Sequence, residues 1–439
     1  MEKSQLFILR SSPAIAASRS EEMTGQKEIH KKITMSVTMT EWKAGSVLSN
    51  TVSGAEKNSS VELCPVEDML LVRVPRNVQW PQVMQRLESL RLFYPRICCL
   101  ASGREKKPSW EEFQQYFPDQ SIALDGAVVG PSRQDGVRKQ MNRGHHGHDS
   151  DQGKCTCELL LDDDENGGLS LFERNNSDGS VANREAVTFF DHIDQDGILS
   201  LYIFLFGHLI QDPQKREMLH KLVALEGQID RAAGFCVLPQ EDAESLKGVF
   251  DHFMTAREKF TWTLDAATMY DIGEMLEKSF REIDQYLEGH VRRLTLETER
   301  ECIYQGKSFD VVKQIGFEAR VGMVQETENR EAWVVAIGTK IIDQQERYLY
   351  TIKYMKDFCG DLSPSELEDV LNRFESLPVE TRSLPLTDQC LLAQHIESQI
   401  YFGGHETVIA NHQRGSWRNP VEFGQLLSFL TEISKRKAA

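Results

Sequence analysis

The hydrophobic pattern of the first third of the chain predicts a small unit in which strands and a helix alternate. Apolar runs at residues 69–74, 96–101 and 121–124 are short, and the last is closed by Asp125-Gly126, which is typical of buried strands. Between the first two runs, apolar residues recur at helical spacing. Because strand, helix and strand follow one another, we expect residues 59–130 to form a small α/β unit of the βαβ type.

From residue 213 onward the apolar spacing predicts helices. Apolar residues between Ile272 and Leu294 recur in steps of three and four, and a second stripe runs from Trp333 to Met355. Ser363 and the three residues after it have the pattern of a helix start, in which serine caps, proline occupies the first turn and glutamate closes a capping box. We therefore expect a helical bundle over residues 213–439, and a protein that is mainly α.

Two polar stretches divide the chain. Residues 1–58 are rich in Ser and Thr without sustained periodicity, and they are expected to be a largely disordered leader. Residues 131–157 hold Ser, Gln, Gly and His in a pattern that predicts a linker. The predicted domains are the leader at 1–58, the α/β unit at 59–130, the linker at 131–157, an acidic region at 158–212 and the helical domain at 213–439.

The charge of the chain argues against nucleic acid as a partner. The 439 residues include 67 Asp and Glu against 50 Lys and Arg, a net charge of −17, and such a surface repels phosphate backbones and anionic lipid heads. Nine cysteines without a small-scaffold spacing predict reduced thiols. No stretch reaches the roughly 20 apolar residues that span a bilayer. A cytoplasmic location is expected, and a mitochondrial one is the alternative because the N-terminus is rich in Ser and carries Arg10 and Arg19.

The acidic stretch at residues 162–173 has the spacing of a calcium-binding loop. Calcium is a hard cation that takes six to eight oxygen ligands at roughly 2.3–2.6 Å. Alternate side chains can point such oxygens at one centre, Gly167 permits the sharp turn that follows, and Glu173 can close the cage with both of its oxygens. The predicted ligands of Ca2+ are the side chains of Asp162, Asp164, Asn166, Ser170 and Glu173 and the backbone carbonyl of Gly168.

Together with the stretch that follows it, this loop resembles the EF-hand calcium-binding family, over residues 158–212 only. In the second loop His192 stands in place of the opening acid and Ile203 in place of the closing glutamate, so calcium binding there should be weak or absent. The resemblance implies an EF-hand-like pair, with residues 182–190 as the entering helix of the second loop and calcium as a switch or a static ion. The acids that the second loop retains are Asp194 and Asp196.

A second resemblance leaves an enzymatic alternative open. The segment from Leu100 to Arg104 after one strand, and Asp125-Gly126 after another, resemble parts of the haloacid dehalogenase phosphatases, in which a Ser or Thr before Gly-Arg binds phosphate. That family needs a nucleophilic carboxylate pair at the end of its first strand, where this chain has Val72-Arg73-Val74-Pro75. The resemblance therefore implies a degenerate phosphatase unit that cannot form an aspartyl phosphate.

A cluster of histidines and cysteines is a further candidate for metal binding. His145, His146 and His148 precede Cys155 and Cys157, and imidazole and thiolate suit zinc, copper or nickel. Their spacing matches no closed zinc module. A metalloprotein centred on residues 145–157 is thus a separate hypothesis.

These patterns favour a calcium-binding protein that acts as a calcium-responsive interaction or scaffold protein, with a protein partner and without catalytic residues. The main rival hypothesis is an enzyme in the helical domain at 213–439, with calcium as a structural or regulatory ion. The degenerate phosphatase unit and the metalloprotein centred on residues 145–157 are two further hypotheses.

Overall fold

A computed structural model gives the fold. With short interruptions it describes residues 61–100, 107–144, 153–175, 181–296, 300–314, 332–354 and 363–438, and also the strand Met35–Val37. Apart from that strand, the predicted leader at 1–58 lies outside the described residues.

An eight-stranded sheet organises the first part of the molecule. Its order is β1-β2-β3-β4-β10-β5-β7-β6, and β8 pairs with β9 in a separate hairpin. The strands are β1 (Met35–Val37), β2 (Val61–Val66), β3 (Met69–Arg73), β4 (Arg96–Leu100), β5 (Ser121–Leu124), β6 (Arg133–Asp135), β7 (Gln140–Arg143), β8 (Glu173–Asn175), β9 (Val181–Arg184) and β10 (Val187–Phe190).

The middle of this sheet is parallel. Strands β3, β4, β10, β5 and β7 run in the same direction, whereas β2 and β6 are antiparallel to their neighbours at the two sides. The central strand β10 comes last in sequence and lies between β4 and β5, with Phe190 opposite both Leu100 and Leu124. All four residues of β10 are buried, as expected for a strand that is covered on both faces.

Helices cover both faces of the sheet. One face carries Phe189 and packs on α1, and the opposite face carries Phe190 and packs on the helices from α2 to α6. The residues on the two faces alternate because successive side chains of a strand point to opposite sides. The helices are α1 (Trp110–Tyr116), α2 (Thr156–Glu165), α3 (Gln195–Phe206), α4 (Pro213–Arg231), α5 (Gln240–Lys259) and α6 (Met269–Leu287).

A second sheet follows in the C-terminal part, with the order β11-β12-β13-β14-β16-β15. Helices α7 and α9 pack on it through a core that includes Tyr350, Phe374 and Phe423. The elements are β11 (Arg300–Gln305), β12 (Phe309–Gln314), β13 (Ala332–Ile342), β14 (Gln345–Tyr354), α7 (Pro364–Glu375), α8 (Leu386–Ala393), β15 (Gly403–His405), β16 (Val408–Ala410) and α9 (Pro420–Ala438).

The predicted fold class, mainly α, is wrong: the protein is α/β. The stripe from Trp333 to Met355, which is expected to be helical, falls on the antiparallel strands β13 and β14. Residues four positions apart share a face on a strand as well as on a helix, so the spacing of Trp333, Ile337 and Ile341 does not separate the two structures.

Two further predictions, for residues 131–157 and 182–190, are also wrong. The expected linker at 131–157 contains β6 and β7 and leads into α2, and the expected entering helix at 182–190 consists of strands β9 and β10. The strands predicted at 69–74, 96–101 and 121–124 are present as β3, β4 and β5, and the capping box at Ser363 starts α7. Within the described residues, no helix has the length and apolar character that crossing a membrane requires, in agreement with the sequence.

Candidate functional site

The candidate site lies at one edge of the parallel sheet, where β5 and β10 end side by side. Asp125 follows β5 directly, and Asp191 and His192 follow β10. Because Leu124 and Phe190 are opposite one another, the residues after them leave the sheet at the same edge. In open α/β sheets, ligands bind in crevices at these carboxyl ends of the strands.

Asp125 is held in an unusual backbone conformation. Its φ is 51°, in the left-handed region, and Gly126 follows with a φ of 70°. The turn packs closely against the end of β7, since a Cβ on Gly144 would stand 2.7 Å from the Gly126 nitrogen. The Asp125 side chain is fully buried. A non-glycine residue in this conformation costs free energy, and such positions concentrate at functional sites.

Asp194 is positioned by the start of α3. As the N-cap residue it accepts, through Oδ1, a hydrogen bond of 2.8 Å from the backbone N–H of Gly197. This cap satisfies one of the free N–H groups at the helix start. The other oxygen, Oδ2, lies 3.3 Å from Nε2 of His192. The helix start thus fixes a carboxylate beside the end of β10.

The two carboxylates converge on one ring nitrogen. Nε2 of His192 lies 3.3 Å from Oδ2 of Asp125 and 3.3 Å from Oδ2 of Asp194. The ligand atoms of these three residues all lie within 4.8 Å of one another. On the other side of the ring, Nδ1 is 3.9 Å from Oδ2 of Asp191, which pairs with Nζ of Lys107 at 3.0 Å. The His192 side chain is 45% exposed, so solvent reaches the cluster.

The surrounding charges favour a protonated imidazole in the metal-free protein. Burial alone would lower the pKa of His192, but Asp125, Asp191 and Asp194 raise it well above its usual value. Burial alone would raise the pKa of Asp191, but His192 and Lys107 outweigh it, and the pKa is lowered. One cation therefore holds the carboxylates together, and a divalent metal could take its place.

The predicted calcium ligands do not form a comparable cluster. Asp164 is buried inside α2, where Oδ1 contacts Arg184 at 2.5 Å and Oδ2 contacts Arg216 at 2.6 Å. Glu173 also pairs with Arg184, at 3.2 Å, and Asp162 pairs with Lys154 at 2.5 Å. Each of these acids has a basic partner, and among the described residues no metal-capable group includes them.

The remaining predicted ligands have structural roles around the end of α2. Asn166 is the C-cap residue and donates its side-chain N–H to the carbonyl of Asp162. Ser170 donates its hydroxyl to the carbonyl of Gly167, which has the expected positive φ of 74°. Gly168 begins a short 3₁₀ turn. Calcium binding by this segment stays a prediction, which the ion pairs do not favour.

The second predicted loop is divided between two groups. Asp194 belongs to the cluster with Asp125, whereas Asp196 lies with Cys155 and Cys157 in another group of potential ligands. His145, His146 and His148 lie outside the described residues, as do Ser102, Gly103 and Arg104.

Sequence reasoning missed His192 as a functional residue, because in the calcium pattern it is a departure from the expected acid. The sequence did contain a signal for a site at this position. Residues 187–190 form a short apolar run of β-branched and aromatic type, followed at once by Asp191 and His192. A buried parallel strand that ends in such polar residues is typical of a site at a sheet edge.

Comparisons with known proteins identify no relative. The sequence matches no protein-family model, and neither a curated protein nor a solved structure is significantly similar to it. The chemistry must therefore be inferred from the residues of the site.

Proposed function

We propose that the chain is a divalent-metal-dependent hydrolase of phosphate esters. The proposal is carried by one observation, the convergence of Asp125 and Asp194 on Nε2 of His192 at the ends of adjacent strands. Each of these side chains can donate one ligand atom to a common ion, and the 45% exposed side chain of His192 leaves the cluster accessible to solvent. A catalytic metal needs open positions for water and substrate.

The donor set selects the kind of ion. Two carboxylate oxygens and one imidazole nitrogen suit manganese, iron or zinc, whereas calcium takes oxygen ligands and prefers more of them. Asp194 is oriented through the N–H of Gly197, and such supporting hydrogen bonds fix the geometry of a ligand. We therefore expect manganese or zinc, rather than calcium, at this edge.

A metal in this position would supply two elements of hydrolysis. It would lower the pKa of a bound water toward neutrality, and it would stabilise the negative charge that develops on the substrate. Asp191 is 15% exposed beside His192, where it can orient the imidazole through Nδ1. The fixed carboxylates cost no reorganisation during the reaction.

One feature favours a phosphate ester as the substrate. Nζ of Lys107 lies 3.0 Å from Oδ2 of Asp191, so it adds a second cation beside the metal position. Phosphoryl groups are bound by such combinations of a metal ion and a basic side chain.

The test uses the full chain, stripped of metal and reloaded with manganese, zinc or calcium. Hydrolysis of 4-nitrophenyl phosphate and bis(4-nitrophenyl) phosphate is followed by absorbance. We expect activity with manganese or zinc. In Asp125→Asn and His192→Asn the activity should fall by more than about 100-fold, because loss of a direct metal ligand should cost more than loss of a hydrogen bond that orients a ligand. Binding of each ion is measured in parallel by calorimetry.

Glu173→Gln is the matched control, since it also replaces one carboxylate by an amide but lies outside the cluster of Asp125, His192 and Asp194. The proposal expects this variant to keep its activity. If instead no ester is hydrolysed and Glu173→Gln abolishes calcium uptake, the hydrolase proposal fails and the calcium-responsive interaction protein is supported.

A further inference from the structure

A pair of buried thiols lies at the start of α2, on the helical side of the large sheet. Sγ of Cys155 and Sγ of Cys157 are 3.3 Å apart, and both residues are fully buried. With the carboxylate of Asp196, which is also fully buried, their ligand atoms all lie within 4.8 Å of one another. Two sulfurs and one carboxylate oxygen therefore face a common point inside the protein.

The start of α2 fixes this arrangement. The carboxylate of Asp196 accepts backbone hydrogen bonds from Thr156 at 2.9 Å and from Cys157 at 2.7 Å, and Cys155 is the N-cap residue.

A buried carboxylate on the neighbouring helix α4 is the candidate for a fourth donor. Glu226 is 2% exposed, and its Oε2 has no hydrogen-bond partner among the described residues. The close packing of α4 on α2 brings it here: the neighbouring Gly227 has no side chain, and a Cβ there would stand 2.6 Å from Cδ of Glu158. Glu158 in turn accepts the backbone N–H of Cys155 at 2.9 Å. The residue next to Glu226 thus packs on Glu158, which lies in the first turn of α2 after Cys155.

Glu226 has a polar group that is buried without compensation. Its Oε2 lacks a hydrogen-bond partner among the described residues although the residue is 2% exposed. An unpaired buried carboxylate is destabilising unless it is protonated, paired or bound to a metal.

We propose that Cys155, Cys157 and Asp196 bind a zinc ion as a closed structural site, with Glu226 of α4 as the fourth ligand. Zinc takes four ligands in tetrahedral geometry and accepts cysteine sulfur together with carboxylate oxygen. All four side chains are buried, so the site leaves no open position for a substrate. The ion would join the start of α2, the start of α3 and the middle of α4, and it is distinct from the catalytic ion proposed at Asp125.

Cobalt substitution in the full chain tests the inference, because thiolate ligands give cobalt an intense near-ultraviolet charge-transfer absorption that oxygen and imidazole ligands do not. Metal-depleted protein is titrated with cobalt and then with zinc. We expect one equivalent of cobalt to give the thiolate band and zinc to displace it. Absence of the band in the wild-type chain at saturating cobalt overturns the proposal, and so does a Cys155–Cys157 disulfide in protein prepared under reducing conditions. Both results come from the wild-type chain, so they do not depend on whether a variant folds.

Variants then assign the ligands. Cys157→Ser should remove the thiolate band and the tightly held equivalent of zinc, and Glu226→Gln should weaken zinc binding by more than about 100-fold, because removing a direct ligand costs more than removing its support. Cys64→Ser, another buried cysteine, is the matched control and should change neither. Asp125→Asn should lose the first ion and keep the thiolate band, so failure of the proposed function and failure of this inference give different results. A band that persists in Cys157→Ser contradicts the assignment.

Discussion

The edge of the parallel sheet and the acidic segment at 162–173 both hold carboxylates, but these carboxylates have different partners in the two regions. At the sheet edge, Asp125 and Asp194 converge on one nitrogen of His192. In the acidic segment, Asp164 lies between Arg184 and Arg216. The difference lies in the counter-charge: at the sheet edge it is a proton on an imidazole, which a metal can replace, whereas in the acidic segment it is a permanently charged arginine.

The largest expected effect is on the stability of the acidic segment. Arg184 is 2% exposed and holds both Asp164 and Glu173, so Arg184→Met leaves a buried carboxylate partly uncompensated. We expect the free energy of unfolding to fall by about 3–5 kcal/mol in urea denaturation. Arg174→Met, whose side chain is 71% exposed and pairs with Glu185, is the control and should cost less than about 1 kcal/mol. If calcium restored the free energy of unfolding of the Arg184→Met variant, the acidic segment would be a calcium-binding loop after all.

The next effect is stabilisation by metal at the sheet edge. At a manganese concentration of about 100 times the dissociation constant, the wild-type chain should gain about 2.7 kcal/mol of stability. His192→Asn should lose this gain, whereas Glu173→Gln should keep it. Differential scanning fluorimetry with and without manganese measures the shift. If manganese raised the melting temperature equally in the wild-type chain and in His192→Asn, the stabilisation would not come from metal bound at this site.

The affinity for that metal should depend on pH. The pKa of His192 is raised in the metal-free protein, and the imidazole must lose its proton to bind a metal. Affinity should therefore rise with pH, by up to about tenfold per unit, until the pH passes this raised pKa.

The stability of the metal-free protein should change in the opposite direction. The contribution of protonated His192 is fully present below its pKa in the unfolded chain and is lost as the pH rises through the raised folded-state pKa. Calorimetric titrations and urea denaturation at several pH values measure both trends. Manganese affinity that does not change with pH would contradict the assignment of His192 as a ligand.

The smallest effect concerns the exposed part of the acidic segment. The pair between Lys154 and Asp162 has side chains that are 39% and 48% exposed, and such pairs contribute little. Lys154→Ala should lower the free energy of unfolding by less than about 1 kcal/mol in urea denaturation. A loss comparable to that of Arg184→Met would indicate that the segment acts as one charged network.

The sequence predicted the parts of the fold that depend on local patterns. Strands β3 to β5 are short apolar runs, α6 follows a stripe of three- and four-residue steps, and the capping box at Ser363 marks the start of α7. The assignment of 333–355 to a helix failed because a four-residue step fits a strand equally well.

The site depended on pairing between distant segments. In the sequence, Asp125 belongs to the pattern that resembles the phosphatases, and Asp194 belongs to the second calcium loop. Strand β10 brings them together because it inserts between β4 and β5. In the acidic segment the deciding partners are also remote, since Arg184 and Arg216 follow Asp164 by 20 and 52 positions. Neither arrangement follows from local spacing.

The most direct test is to locate the metal by anomalous diffraction from crystals of the full chain grown with manganese. We expect an anomalous peak in direct contact with Asp125, His192 and Asp194 at the end of β10. A manganese-saturated chain with no peak at these residues, or with its peak among Asp162, Asp164 and Glu173, would contradict this expectation.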